Sequence, residues 1–355
     1  MWSLSFLALW ALQWTSIDAI ASPYERQQIA YVSPFDHSWI TEWASVGDSF
    51  ASGVGLGKRI SWWCSRYDNA YGSLIYSDKS LGDPSKRKFN NLACLGHTSV
   101  DVLNKQVKGL PSGQQMITLS AGGNDVGFSK LIDACILEFN QKNWKCDETI
   151  ENTRKAIESG ELKKNLDNLI QATVAKLSSS VSSRVFWTSY AKFFDNTTTE
   201  CDSVTWASWV SKGFNRQEYL TQARRNQYNA LVDLLNDKIR DTVKRAGSKV
   251  VFVDWQDKIS RMNGQYCEPG VDETPGKGDN RESLAFYEWY SNLDEQVFGN
   301  SITVRGYTTS IPNPDDTLTV QDAPSDQMGP YQASLIRNIS ALLEANQNLW
   351  ESVKQ

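Results

Sequence analysis

The chain has 355 residues, 40% of them hydrophobic and 22% charged, enough to bury one large core or two ordinary ones, and too apolar for wholesale disorder. Its 36 Lys+Arg against 41 Asp+Glu leave a net charge of -5. That is the wrong sign for a protein that grips nucleic acid by neutralising phosphates. The only histidines are His37 and His97, which argues against a histidine-built metal site and restricts every catalytic scheme.

In chain order, an apolar run from Met1 to Leu12 ends near Ala19-Ile20-Ala21, a small-x-small pattern. Residues 1–21 are therefore expected to be a cleaved signal peptide, and 22–355 a single domain. No later run approaches the ~18 consecutive apolar residues of a membrane helix, so no stable membrane span is expected. Buried strands are predicted at Ala44–Val46, Met116–Ser120, Arg184–Tyr190 and Lys249–Trp255, which are rich in β-branched, aromatic and other apolar residues. A short helix follows at Val100–Val107 and longer ones at about Thr149–Ser178, Leu220–Ala246 and Tyr331–Ala345. In the third of these, Leu231, Leu235, Ile239 and Val243 recur four apart and Gly247 closes the helix. Strands joined by long helices need crossovers, which predicts an α/β fold with a mostly parallel sheet covered on both faces. The stretch of about 268–322, rich in Gly, Pro, Asn and Asp, reads as an irregular insertion.

Six cysteines, Cys64, Cys94, Cys135, Cys146, Cys201 and Cys267, form no Cys-x-x-Cys pair. Three disulfides in an oxidising compartment are the natural reading, with their pairing left open by the spacing alone. Asn196-Thr-Thr198 and Asn338-Ile-Ser340 are glycosylation sequons. A secreted, monomeric glycoprotein is expected.

Ligands of open parallel sheets bind at the carboxyl ends of strands, and three polar, glycine-bearing segments fall there. In Gly47-Asp48-Ser49, a serine follows a strand at a tight turn, serving either as an exposed nucleophile or as a helix N-cap. In Gly96-His97-Thr98, the glycine N–H is open to an anionic oxygen, or the glycine only relieves a turn. In Gly122-Gly123-Asn124-Asp125, paired glycines allow close approach and the Asn124 amide can donate into the same space. Two backbone N–H groups and this amide, converging beside Ser49, would make an oxyanion hole.

In order and spacing these segments resemble blocks I, II and III of the SGNH (GDSL) hydrolases, over about Trp39–Ala345. Cys64-Ser-Arg-Tyr67, Ala70-Tyr71, Tyr190-Ala-Lys-Phe-Phe194 and Cys267-Glu268 resemble the secreted fungal and bacterial branch of esterases and lipases. The resemblance implies a flavodoxin-like three-layer sandwich, disulfides Cys64–Cys94, Cys135–Cys146 and Cys201–Cys267, and a small-molecule or polymeric ester substrate. It implies no metal and no cofactor. It makes Ser49 the nucleophile, with its own N–H, the Gly96 N–H and the Asn124 amide as oxyanion donors.

The family's last block is Asp-x-x-His. Here Asp322 takes the aspartate's place and the histidine slot holds Ser325, or Asp326 with a one-residue shift. Removing the base of a serine hydrolase lowers turnover by about a million-fold. An ordinary carboxylate near pKa ~4 is a poor match to a serine hydroxyl. His97, beside Gly96, is the best candidate for a substitute base, the alternative being that it points outward or caps a helix. Gly53-Val-Gly55-Leu-Gly57-Lys58 lacks the spacing of a phosphate loop, and Asp315-Asp316 lies in a polar loop. Some of the 14 tryptophans, such as Trp62-Trp63, could wall the site. Two functions follow: an ester hydrolase with a non-standard base, or an inactive relative that binds an ester, lipid or carbohydrate.

Overall fold

The computed structural model describes residues 38–53, 58–79, 83–137, 145–206 and 218–274, and the backbone of 301–304 and 307–310. The expected signal peptide at 1–21, His37, Asp322, Ser325, Asp326, the second sequon and the helix expected at Tyr331–Ala345 lie outside the described residues.

Five strands form one sheet: β1 (Glu42–Gly47), β4 (Lys88–Asn91), β5 (Met116–Ser120), β6 (Arg184–Thr188) and β7 (Val250–Val253). The short strands β2 (Arg59–Ser61) and β3 (Arg66–Tyr67) make a separate antiparallel ribbon between β1 and β4 in the chain. The sheet order is β4-β1-β5-β6-β7 with every neighbouring pair parallel. Counting only these strands along the chain, the order is 2-1-3-4-5, the flavodoxin-like arrangement. It reverses direction at β1, which places the ends of β4, β1 and β5 side by side.

The pleat sorts the core into two faces. Ala44, Val46, Ile117, Leu119, Val185 and Trp187 point into the main cluster, which includes Leu166, Leu169, Leu231, Leu235 and Ile239. Trp43 and Met116 point the other way and pack with Phe89, Phe186, Ile75 and Tyr76; Trp43 stacks on Phe89 with ring centroids 4.2 Å apart. Each such aliphatic or aromatic side chain stabilises the fold by about 1.5–3 kcal/mol when fully buried. β1 and β5 are central and buried on both faces, hence apolar and small residues at successive positions and not only at alternate ones.

Between the strands lie α1 (Ser49–Ser52), α2 (Tyr71–Ser77), α3 (Ser99–Asp101), α4 (Phe128–Ile132), α5 (Cys146–Glu158), α6 (Gly160–Val174), α7 (Gln222–Ala246) and α8 (Gln256–Arg261). α3 runs on into a π-helical turn, Val102–Val107. α7 buries the expected stripe and stops at Gly247. The single helix expected at Thr149–Ser178 is two helices. Ser159 adopts an extended ψ of 145°, ends α5, and caps α6 by accepting from Leu162 N–H at 3.1 Å. Within the expected irregular insertion, the backbones of β8 (Ser301–Val304) and β9 (Tyr307–Ser310) pair as an antiparallel hairpin.

The three disulfides are Cys64–Cys94, Cys135–Cys146 and Cys201–Cys267, the pairs that the family resemblance implies. Among the described residues no helix is long and apolar enough to cross a membrane.

Candidate active site

β1 ends on Gly47, whose φ of +142° puts its Cα against the end of β5. A Cβ there would sit 2.4 Å from the Ser120 carbonyl oxygen. The next N–H, that of Asp48, donates to this oxygen at 3.2 Å. Asp48 is the N-cap of α1 and accepts from Phe50 N–H at 3.0 Å. Ser49 is therefore the first helical residue and not the cap. Its side chain is half-buried.

The loop after β4 is drawn onto the same strand end. Cys94 N–H donates to the Gly47 carbonyl at 2.9 Å, and the disulfide to Cys64 anchors the loop to the β2–β3 ribbon. Gly96 follows with φ +78° and open space around its Cα, so the backbone conformation alone calls for glycine. His97 is half-buried and its N–H donates to the Cys94 carbonyl at 3.3 Å. Its carbonyl accepts from the Asn124 side-chain amide at 3.0 Å. The following residue, Asp125, accepts from Ser99 N–H at 2.7 Å and from the Ser99 hydroxyl. Blocks II and III are thus joined directly.

Tyr190, at the end of β6, completes the frame. Its hydroxyl donates to the Asp48 carboxylate and accepts from Gly123 N–H at 3.0 Å. Ser120 Oγ donates to the other Asp48 oxygen at 2.7 Å. Burial pushes the Asp48 carboxyl above its ordinary range, against the opposing pull of the Tyr190, Ser120 and Phe50 hydrogen bonds. Tyr190 is pushed well above the usual phenol value, by burial first and by the neighbouring Asp48 charge next. Asp125 is also raised by burial, opposed by its bonds from Ser99.

The structure therefore gathers Ser49, Gly96, His97 and Asn124 at three adjacent strand ends, while Asp322 falls outside the described residues. The N–H groups of Ser49 and Gly96 have no partner among the described residues, and the Asn124 amide uses one hydrogen on His97. Three donors at these strand ends thus remain without a partner among the described residues.

The ring of His97 meets the side chain of Gln106. Its Nδ1 lies 2.9 Å from the side-chain amide nitrogen of Gln106. Gln106 carries no signal in the sequence, and for Tyr190 and Ser120 the sequence shows the residue but not its contact with Asp48. For Tyr190, its place at the carboxyl end of a predicted parallel strand was the available signal. Trp62 lies under the Arg59 guanidinium at 4.5 Å, whereas Trp63 is 52% exposed on the ribbon tied to the Gly96 loop.

A flavodoxin-like sheet carrying these three loops at its carboxyl ends is the architecture of lipase- and esterase-like hydrolases. No family model matches the chain. A lipase of Streptomyces rimosus is 35% identical to it over 103 residues, 28% of this chain and 35% of the relative. Lipase 1 of Streptomyces coelicolor is 38% identical over 98 residues, 27% of this chain and 35% of the relative. The matched stretch thus spans about a third of the length of each. The crystal structure of the extracellular lipase of Streptomyces rimosus superposes with a TM-score of 0.51 at 25% identity, covering 64% of this chain and 85% of that one. In sequence and in fold the chain is thus similar to lipases of the SGNH hydrolase type.

Proposed function

We propose that this protein acts on carboxylic esters of the acyl-ester or lipase type, with Ser49 as the acyl-accepting residue. The reading is carried by the three unpartnered donors, Ser49 N–H, Gly96 N–H and the second Asn124 amide hydrogen, on loops that hydrogen bonds tie together. The name lipase on both Streptomyces relatives supports it. Ser49 Oγ attacks the ester carbonyl carbon, and the carbonyl oxygen takes up the negative charge facing the donors. The C–O bond then breaks, the alcohol leaves with the serine proton, and water releases the acid. A single oxyanion donor is worth about a hundred- to a thousand-fold in such chemistry.

Turnover is slow in this reading, because His97 in its hydrogen-bonded state cannot take the Ser49 proton. The same contact favours the second reading, a site that binds esters without hydrolysing them. Three disulfides suit an oxidising compartment, which supports secretion. Asn196 is half-buried at a loop surface, compatible with glycan attachment.

Hydrolysis of p-nitrophenyl butyrate by wild type and Ser49→Ala, with butylboronic acid binding measured on both, tests the proposal. A wild-type rate above that of Ser49→Ala establishes hydrolysis. Equal rates with boronate bound only by wild type establish the binding version. Equal rates and no boronate binding overturn both.

A further inference from the structure

We infer that Gln106 is a positioning residue that holds His97 as the Nε2–H tautomer, making His97 a hydrogen-bond donor to the bound ester instead of a proton acceptor for Ser49. The donor role rests on the ester reading above; the tautomer does not.

The π-helical turn Val102–Val107 carries Gln106 into the interior, where it is 2% exposed. Its Oε1 accepts from Gly47 N–H at 2.8 Å, and its Nε2 donates to the Gly47 carbonyl at 2.8 Å. This two-point match settles the amide's orientation. Turned over, the amide would set oxygen against the Gly47 carbonyl and its NH2 against the Gly47 N–H, two buried repulsions in place of two hydrogen bonds. The remaining Nε2 hydrogen is then directed at His97 Nδ1, 2.9 Å away. A ring nitrogen facing a donor must present its lone pair, so the imidazole proton resides on Nε2. Protonating the ring would press an N–H onto the amide N–H, so the contact also opposes the imidazolium. Burial acts in the same direction, drawing the His97 pKa down against the pull of Asp101.

Serine-hydrolase triads use the opposite arrangement. A carboxylate accepts from Nδ1–H and leaves Nε2 free to take the serine proton. Exchanging that carboxylate for an amide, with geometry kept, costs about ten-thousand-fold in turnover because the tautomer is wrong. This protein carries the amide natively. Its His97 is anchored by its own N–H and carbonyl, on Cys94 and Asn124, directly after Gly96. Among the described residues the Nε2–H has no partner, which fits a donor awaiting the carbonyl or carboxylate oxygen of an ester or its acid product.

Long-range proton–nitrogen NMR spectra of 15N-histidine-labelled protein at neutral pH test the tautomer. The Gln106→Glu variant serves as the comparison, and a His37→Gln background leaves one histidine signal. The expected result is Nε2–H in the parent and Nδ1–H in Gln106→Glu, a reversal that a merely structural glutamine would not produce. Nδ1–H in the parent overturns the proposal. Should Gln106→Glu fail to fold, Gln106→Met, which removes the donor to Nδ1, is expected to show mixed tautomers; an unchanged Nε2–H form overturns the positioning role. The donor role is read from butyrate binding, expected to weaken about three- to tenfold in His97→Ala, the worth of one hydrogen bond; unchanged affinity overturns it. Absence of ester hydrolysis in the parent, with the Nε2–H tautomer present, refutes turnover and leaves the role of Gln106 standing.

Discussion

The Tyr190 hydroxyl donates to the Asp48 carboxylate while accepting from Gly123 N–H at 3.0 Å. One phenol thereby clips the ends of three strands together and fixes Asp48, the residue that caps α1 and precedes Ser49. Tyr190 is 2% exposed, and its ring packs edge-on to Phe50 at 4.9 Å. Tyr190→Phe keeps that packing and leaves a buried carboxylate short of a donor and a buried N–H unpaired. A loss of about 1–3 kcal/mol of stability is expected, read as a lower urea midpoint at unchanged m-value and, on the proposed reading, as weaker boronate binding because Ser49 loses its support. A loss under about 0.5 kcal/mol would show that water replaces the phenol.

Gly47 is the position least able to accept a side chain. Its φ of +142° is strained for any L-residue, and a Cβ would meet Ser120 O at 2.4 Å and Ser120 Oγ at 2.6 Å. Both Gly47 backbone groups are also committed to Gln106, so the strand end cannot shift without breaking them. Gly47→Ala is expected to cost at least about 2 kcal/mol, measured by chemical denaturation. Near-neutral behaviour would mean that β1 and β5 separate more easily than their pairing implies.

His97 makes stability depend on pH with a definite sign. Burial, the largest influence, lowers its pKa below the ordinary 6.5; Asp101 opposes it, and Lys105 adds a smaller push in the same direction as burial. Lys105 and Asp101 are themselves paired at 2.9 Å. The unfolded chain therefore takes up a proton first as pH falls. The His97 contribution is fully retained above about 6.5 and lost as pH drops from there towards the folded value. The stability gap between wild type and His97→Gln is expected to shift against wild type from pH 7.5 to pH 5.5, in paired urea titrations. A gap that stays flat, or moves the other way, contradicts the burial of this ring.

What the sequence disclosed follows from burial. The central strands β1 and β5, and the next strands β6 and β7, announce themselves as apolar runs. The edge strand β4, Lys88-Phe-Asn-Asn91, does not, because Phe89 is its one apolar residue and the other three are polar. The three glycine-bearing blocks were legible from composition at strand ends. The framework behind them was not, since Tyr190 meets Asp48 across 142 residues and Gln106 meets Gly47 across 59. Gln106 in particular reads as an ordinary polar position on a short helix until the π turn carries it inside. Ser159-Gly160 marks the break between α5 and α6, but the apolar spacing continues on both sides and masks it.

The Cys64–Cys94 bridge should separate stability from site geometry. It closes a loop with a sequence separation of 30, for which the chain-entropy model gives about 3–4 kcal/mol. It also joins the exposed β2–β3 ribbon to the loop bearing Gly96, where Leu95 N–H donates to the Cys64 carbonyl at 3.0 Å. Replacing both cysteines by serine is thus expected to lower stability by roughly that amount and to loosen the Gly96 N–H, an oxyanion donor in the reading proposed here. Removing the Cys201–Cys267 bridge, with a sequence separation of 66, should cost as much stability or slightly more on the same model. That bridge lies on segments that contribute none of the three donors, so boronate affinity at low temperature, where both variants stay folded, ought to fall in the first and hold in the second. Equal affinities in the two would mean that the Gly96 loop is positioned by its contacts to Gly47 and Asn124 alone.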